Sequence, residues 1–318
     1  MFCTIAWYED PMHKGALALI GNTPVIKLQT VVPKNGVEIW LKYEPNNPTG
    51  SYKDRMAFSV LKNAMDRGDL NPGDTVVEYT GGSSGSSLAF VSSVLGLKFV
   101  AVFSDAFSKS KQQTMEAFGT QIVIEKSWGK GITPGLLQRM KKRAMHLCDD
   151  LNAYYVNQFG SPDVILGYQP MGREIAEVLG KNIDTFCAAV GTAGALMGTW
   201  QGLAETCSKT NVIALEPTQS PLLTTGKGGA HRVEGIGVGF YPPFLDSTVL
   251  TDIRAVDQEE GFAMCQRLAK EEGIFCGGST GLNVVGAIAL SKDMKPGQKI
   301  VTLACDSGLK YLGGHIYS

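Results

Sequence analysis

Short apolar runs rich in β-branched and aromatic residues alternate along the chain with longer stretches whose apolar positions fall three and four apart. The short runs predict strands at 38–44 (EIWLKYE), 74–79 (DTVVEY), 98–104 (KFVAVFS), 121–125 (QIVIE), 153–157 (AYYVN), 184–190 (DTFCAAV), 211–216 (NVIALE) and 298–304 (QKIVTLA). The stretches between them read as helices. At 54–66, for example, Met56, Val60, Leu61, Ala64 and Met65 share one face. Alternation kept up over the whole chain predicts an α/β fold with mostly parallel sheets and ligands at the carboxyl ends of strands. A chain of 318 residues accommodates about two domains, and the polar turn NQFGSPD at 157–163 marks a crossing between them. No internal repeat, low-complexity tract or charged linker interrupts the pattern.

Three of the strand-to-helix junctions are rich in glycine. The first, EYTGGSSGSSLAF at 78–90, contains Gly81, Ser83 and Gly85 in the G-x-S-x-G order of a hydrolase nucleophile elbow. The same residues make a turn that can wrap an anion in backbone N–H groups. The second, AAVGTAGALMGTW at 188–200, runs from a strand through Gly191, Thr192, Ala193, Gly194 and Ala195 into a helix. It matches neither the Walker A loop nor the G-x-G-x-x-G dinucleotide fingerprint. Read alone, it fits a phosphate site and a tight turn that binds nothing equally well. The third, IFCGGSTGLNV at 274–284, repeats G-x-S-x-G at Gly277, Ser279 and Gly281. Two matches weaken the elbow reading, since one hydrolase needs one nucleophile. The later histidines His146, His231 and His315 sit in no recognisable triad context.

A fourth feature is NPTGSYKDRMAF at 47–58. Ser51 and Asp54 fit a capping box, which puts Lys53 in the first turn of a helix. Burial and the positive end of the helix dipole would both lower the pKa of an ammonium there, leaving an amine able to form a Schiff base; read alone, the segment fits a solvated lysine after a turn better.

Composition narrows the classes. A formal net charge of −1 without runs of like charge gives no footprint for nucleic acid or an anionic membrane. The apolar stretch 88–103 is broken by Ser92, Ser93, Gly96 and Lys98, and the opening MFCTIAWYEDPMHKG lacks a basic region and a cleavage site. Neither a membrane span nor a signal peptide is expected. Seven cysteines, spread singly without C-x-x-C, argue against a metal site and for a reducing, cytoplasmic setting.

Taken together and in order, these motifs resemble the cysteine synthase (O-acetylserine sulfhydrylase) and cystathionine β-synthase group of fold-type II pyridoxal-phosphate enzymes. The resemblance spans nearly the whole chain, from IGNTPVIKL (20–28) through EPTQSP (216–221) and EGIGVGF (234–240) to CDSGLKYL (305–312). It implies a tryptophan synthase β-like fold of two domains, each a mostly parallel twisted sheet flanked by helices. The larger domain, 1–41 and 156–318, would hold the cofactor phosphate. The smaller, mobile domain, 42–155, would carry the substrate-carboxylate loop.

By the same resemblance Lys53 is the Schiff-base lysine, and pyridoxal 5′-phosphate is held by Lys53, Ser83, Gly191, Thr192, Ala193, Gly194, Ala195 and Ser307. Asp306 is adjacent, and the sequence leaves open which of the two side chains faces the ring; the resemblance favours Ser307. The substrate falls to Thr80, Gly81, Gly82, Ser83, Ser84, Gln158 and Gly235, with the turn at 80–85 and Gln158 at its carboxylate. Ser83 then belongs to a cradle. The family loop usually reads T-S-G-N-T-G, so Gly81 stands for a serine and Ser83 for an asparagine. Ala193 and Ala195 replace a glycine and a threonine in the phosphate loop.

The implied reaction is β-replacement on an O-activated serine, by way of an aminoacrylate to which a sulfide, thiol or other small nucleophile adds. The alternatives are β-elimination of the cysteine desulfhydrase or serine dehydratase kind, a catalytically silent binding module of the same fold, and an α/β serine hydrolase. Expected partners are the amino-acid substrate and nucleophile, a second copy in a homodimer, and serine acetyltransferase.

Overall fold

The computed structural model describes residues 15–129, 131 and 133–318. The opening stretch, where no signal peptide is expected, and Cys3 lie outside them. The strands are β1 (Val25–Lys27), β2 (Glu38–Tyr43), β3 (Thr75–Tyr79), β4 (Lys98–Ser104), β5 (Gln121–Glu125), β6 (Tyr154–Tyr155), β7 (Thr185–Ala189), β8 (Asn211–Pro217), β9 (Asp252–Val256) and β10 (Lys299–Ala304). The helices are α1 (Lys53–Asp66), α2 (Ser83–Leu95), α3 (Lys109–Ala117), α4 (Pro134–Leu151), α5 (Asp163–Leu179), α6 (Gly194–Ala204), α7 (Leu222–Thr225), α8 (Gln258–Arg267) and α9 (Gly278–Ser291).

These elements form two sheets. One has the order β1-β2-β10-β7-β8-β9, the other β5-β4-β3-β6. Every pairing is parallel except β1 with β2, as the alternation predicts. β2 pairs with β10 over its whole length, so Lys42 and Tyr43 belong to the larger sheet, two residues past the expected crossing at 41/42. The run expected at 153–157 pairs only at Tyr154 and Tyr155, and its last residue, Asn157, turns the chain with φ of +53°. β1 and β9, the two edges of the larger sheet, are strands the apolar runs did not announce. The main core is continuous between the sheets, with Met56 and Leu61 of α1, Leu88 of α2, Met171 of α5, and Phe186 and Leu303 of the larger sheet in one cluster. Among the described residues no helix is long and apolar enough to cross a membrane, and Cys148, Cys187, Cys207, Cys265, Cys276 and Cys305 are free thiols.

One buried polar cluster sets the position of α1. Arg55 gives Nε and Nη2 to the two Glu44 oxygens at 2.7 and 2.9 Å. Its Nη1 and Nη2 reach the two Glu174 oxygens at 2.8 and 2.7 Å. Lys42 Nζ donates to Glu174 Oε2 and to the Thr23 carbonyl, both at 2.6 Å, and the Thr23 hydroxyl donates to Glu44 at 2.5 Å. Lys42, Glu44 and Arg55 are buried, and two positive charges meet two negative ones. The cluster joins β2, the turn after it, α1 and α5. Burial alone would raise the Glu174 pKa, but the guanidinium and ammonium beside it reverse that and hold it at about 2. Its folded pKa thus lies below the ordinary 4.5, so its stabilising contribution is present above that pH and is lost as pH falls towards 2.

Arg55→Met tests this arrangement. It strands Glu44 in the interior without its counter-charge, and should lower the free energy of chemical unfolding by about 3–5 kcal/mol. A loss under about 1 kcal/mol, the range of an exposed ion pair, would show that the cluster does not anchor α1.

Candidate active site

The turns that follow β3, β7 and β10 open onto one cleft of about 310 Å³ between the sheets. Lys53 stands in it as the first residue of α1, 7% exposed, with Nζ 4.7 Å from the Tyr52 ring centre and 6.0 Å from that of Tyr168. Burial lowers the pKa of this amine to about 8, against the opposing pull of the Asp306 carboxylate. The capping box does not form as expected. Ser51 Oγ accepts the Lys53 N–H at 3.3 Å, but Asp54 turns back to the Thr49 N–H and hydroxyl at 2.7 and 2.6 Å. Tying the Pro-Thr-Gly turn to the helix in this way satisfies Asp54 more fully than the box would.

α2, α6 and α9 also begin on the cleft. Their N-cap residues are Gly82, Ala193 and Gly277, and none contributes a capping side chain. Three helix N-termini therefore bring positive dipole ends to one place, which suits anionic groups. In the turn at 80–85, Thr80 Oγ1 accepts the N–H groups of Gly82 and Gly85 at 3.2 and 3.0 Å, closing the loop on itself. Gly81, Gly82, Ser83 and Ser84 line the cleft. Ser83 donates to Asp306 Oδ2 at 3.1 Å, and the Tyr311 hydroxyl donates to the same oxygen at 2.7 Å. The partner of Ser83 is thus a carboxylate and not a histidine, which removes the hydrolase geometry.

Gln158 lines the same cleft, positioned by Glu78 from below. Its backbone N–H donates to Glu78 Oε2 at 2.9 Å, and its Nε2 donates to the Tyr79 carbonyl at 3.0 Å. Burial pushes Glu78 up to about 8, against the backbone N–H groups of Gln158 and Tyr79, so near neutral pH it is mostly protonated.

In the second turn Thr192 faces the cleft, while Ala193 (φ +65°) and Ala195 are buried behind it. Thr192 Oγ1 accepts the Gly194 N–H at 3.2 Å. A side chain at Gly191 would lie 2.3 Å from the Gly235 carbonyl oxygen, so glycine here lets the 229–240 segment close against the turn. Gly235 lines the cleft from that segment.

Ser307 is placed differently from the expectation. Its hydroxyl accepts the Leu309 N–H at 3.3 Å and caps the turn Gly308–Tyr311, and it does not line the cleft. Ser279, at the start of α9 and 5% exposed, does line it. Its signal was present in the third glycine-rich turn, but as a second G-x-S-x-G it counted only for or against a nucleophile. Lys111, His231, Glu234 and Tyr311 also line the cleft and carried no sequence signal of their own.

The family model for pyridoxal-phosphate dependent enzymes matches residues 16–306. The chain belongs to that family. A cysteine synthase of Staphylococcus aureus is 35% identical over 94% of this chain and 96% of its own length. The O-ureido-L-serine synthase of Streptomyces lavendulae is 33% identical over 96% and 93%. Among solved structures, an O-ureido-L-serine synthase superposes with a TM-score of 0.89 at 32% identity, covering 96% of this chain and 95% of that one. A cysteine synthase of Entamoeba histolytica gives 0.88 at 30%, covering 96% and 90%.

The cleft of this pyridoxal-phosphate dependent enzyme fits the cofactor on its own chemistry. It offers a buried amine of lowered pKa, helix N-termini whose N-cap residues add no side chain, and two buried polar atoms with no partner among the described residues, Asp306 Oδ1 and His231 Nδ1.

The lowered Lys53 pKa sets a pH dependence. Trapping of pyridoxal phosphate by cofactor-free protein, followed by borohydride reduction at early times, should rise with pH with a midpoint near 8. Asp306→Asn removes the charge that favours the ammonium and should move the midpoint lower. A midpoint near the free-lysine value of about 10.4 would refute the burial argument.

Proposed function

We propose that the protein catalyses β-replacement on an O-activated serine, exchanging the group on Cβ for sulfide, a thiol or another small nucleophile. The observation that carries this reading is the buried Lys53 amine facing a glycine-rich turn across one cleft. Similarity to cysteine synthases and O-ureido-L-serine synthase over the whole chain supports it.

Lys53 Nζ is the amine that would hold the cofactor, with the turn Gly191–Ala195 and the Thr192 hydroxyl at its phosphate. When bound, pyridoxal phosphate supplies an aldehyde that captures amines and a ring that spreads the electron pair left at the substrate Cα. Lys53, with a pKa of about 8, is matched to taking the proton from Cα and returning it at the end. Thr80, Gly81, Gly82, Ser83, Ser84 and Gln158 orient the substrate carboxylate, and Gly235 borders the same space. Ser279, which lines the cleft where Ser307 does not, would be the neutral hydroxyl at the ring nitrogen. A neutral partner there favours loss of a β-group over transamination. In this reading the part of residues 42–155 built on the smaller sheet, β3 to β6, closes on the rest of the chain and excludes water from the reacting carbon. It extends to a homodimer in a cytoplasmic setting, with serine acetyltransferase as a partner.

Purified protein supplied with O-acetyl-L-serine and sulfide should return cysteine and acetate. Lys53→Ala should reduce turnover by about two to four orders of magnitude. Formation of pyruvate and ammonia at the same rate with or without sulfide would assign elimination instead. A Lys53→Ala variant of full activity would end both readings.

A further inference from the structure

Lys111, the third residue of α3, has a side chain only 3% exposed, yet it ends in an ammonium inside the cleft. A buried ammonium needs an anion. Its ion-pair partner is Glu234, on the glycine-rich segment contributed by the other sheet's half of the molecule. The ammonium also lies 4.8 Å from the centre of the Tyr311 ring, a favourable position over an aromatic face. Its stem crosses the turn at 80–85 so closely that a Cβ at Gly82 would meet Lys111 Cδ at 2.8 Å and Nζ at 3.0 Å. Glycine at 82 is what lets the charge lie there.

The hydroxyls of that turn are partly spent. Thr80 Oγ1 accepts two loop N–H groups, and Ser83 donates to Asp306. The strongest anion-recognising group bordering the loop is then Lys111. Its present partner is the more dispensable half of the pair, because the Glu234 side chain is 34% exposed against 3% for Lys111. If the pair opens, the carboxylate moves into water at little cost, whereas the ammonium stays buried.

We propose that Lys111 binds the α-carboxylate of the amino-acid substrate, with Glu234 standing in for that carboxylate while the site is free. This rests on the β-replacement reading of the loop and adds to it a cationic contact. The incoming carboxylate replaces Glu234 on the ammonium, so the cost of holding a buried cation in place is met before substrate arrives. The exchange also releases the 229–240 segment from α3 as the substrate enters.

The test compares binding of L-serine, which carries no activated leaving group, with binding of L-serinamide to the holoenzyme by calorimetry. A charge-assisted contact should make the wild-type preference for the carboxylate over the amide ~10–100-fold. Lys111→Met should reduce that ratio by about tenfold or more, and Lys111→Arg should retain most of it. Glu234→Gln should tighten L-serine several-fold while leaving L-serinamide unchanged. An unchanged ratio in Lys111→Met, or weaker L-serine binding in Glu234→Gln, overturns the assignment while the function stands. Wild-type protein that binds neither ligand strikes the proposed function itself, and the assignment with it.

Discussion

The buried pairing of Arg55 with Glu44 and Glu174 is the constraint from which the site follows. Arg55 lies two residues after Lys53 on the same helix, so fixing its guanidinium fixes where α1 starts and how it is rotated. Four charges in the interior would be a liability if any one lacked its partner. Here each carboxylate of the cluster meets the guanidinium with both oxygens, and Lys42 takes the remaining capacity of Glu174. The geometry is demanding, and that is its use: α1 cannot slide without breaking several of these bonds at once. A lysine meant to act as a free amine needs such a rigid base, because it gains nothing itself from being buried.

The sequence made the sheet interiors legible and the edges illegible. Runs such as KFVAVFS are buried on both faces and therefore apolar throughout. β9 is an edge strand with Arg254 and Ala255 exposed, so DIRAV carries no apolar run to read. β1 is three residues long, too short for any period. The same logic divides the site. Lys53 and the glycine-rich turns were readable because their requirement is local: a backbone that must turn tightly, or a first helical residue. Tyr311, Lys111 and Glu234 were not, and Asp306 entered only as the neighbour of Ser307, because their roles exist only where distant segments meet. Ser83 and Asp306 are 223 residues apart in the chain, and Lys111 and Glu234 are 123 apart. Ser307 and Ser279 show the limit plainly. Both are serines in glycine-containing contexts, and only the packing of α9 against β10 decides which one faces the cleft.

Charge in the cleft is arranged around what must be accommodated. The N-termini of α2, α6 and α9 present positive ends to the cleft, and none of their N-cap residues adds a capping side chain. Close in the chain to the turn at 80–85 lies Glu78, a buried residue of β3. Its burial raises its pKa to about 8, so near neutral pH the site removes most of its negative charge by keeping the proton. Its oxygens still accept the N–H groups of Tyr79 and Gln158 and thereby orient Gln158. One side chain thus gives the geometry of a carboxylate with little of its field.

The two sheets are joined in two physically different ways, and the difference bears on how the cleft can work. At the back, α1 packs on α5 within a continuous apolar core, anchored by the Arg55 cluster. At the front, the halves touch through polar contacts, Ser83 with Asp306 and Lys111 with Glu234. A net hydrogen bond is worth about 1 kcal/mol, and Glu234 is the part-exposed member of its pair, so the front can be opened where a bound amino acid supplies a replacement anion for Lys111. The back cannot. An enzyme that must admit two substrates in turn, yet keep water from a reactive carbon between them, needs this asymmetry: a rigid apolar hinge holding the amine in place, and a polar front whose contacts the substrate itself can exchange.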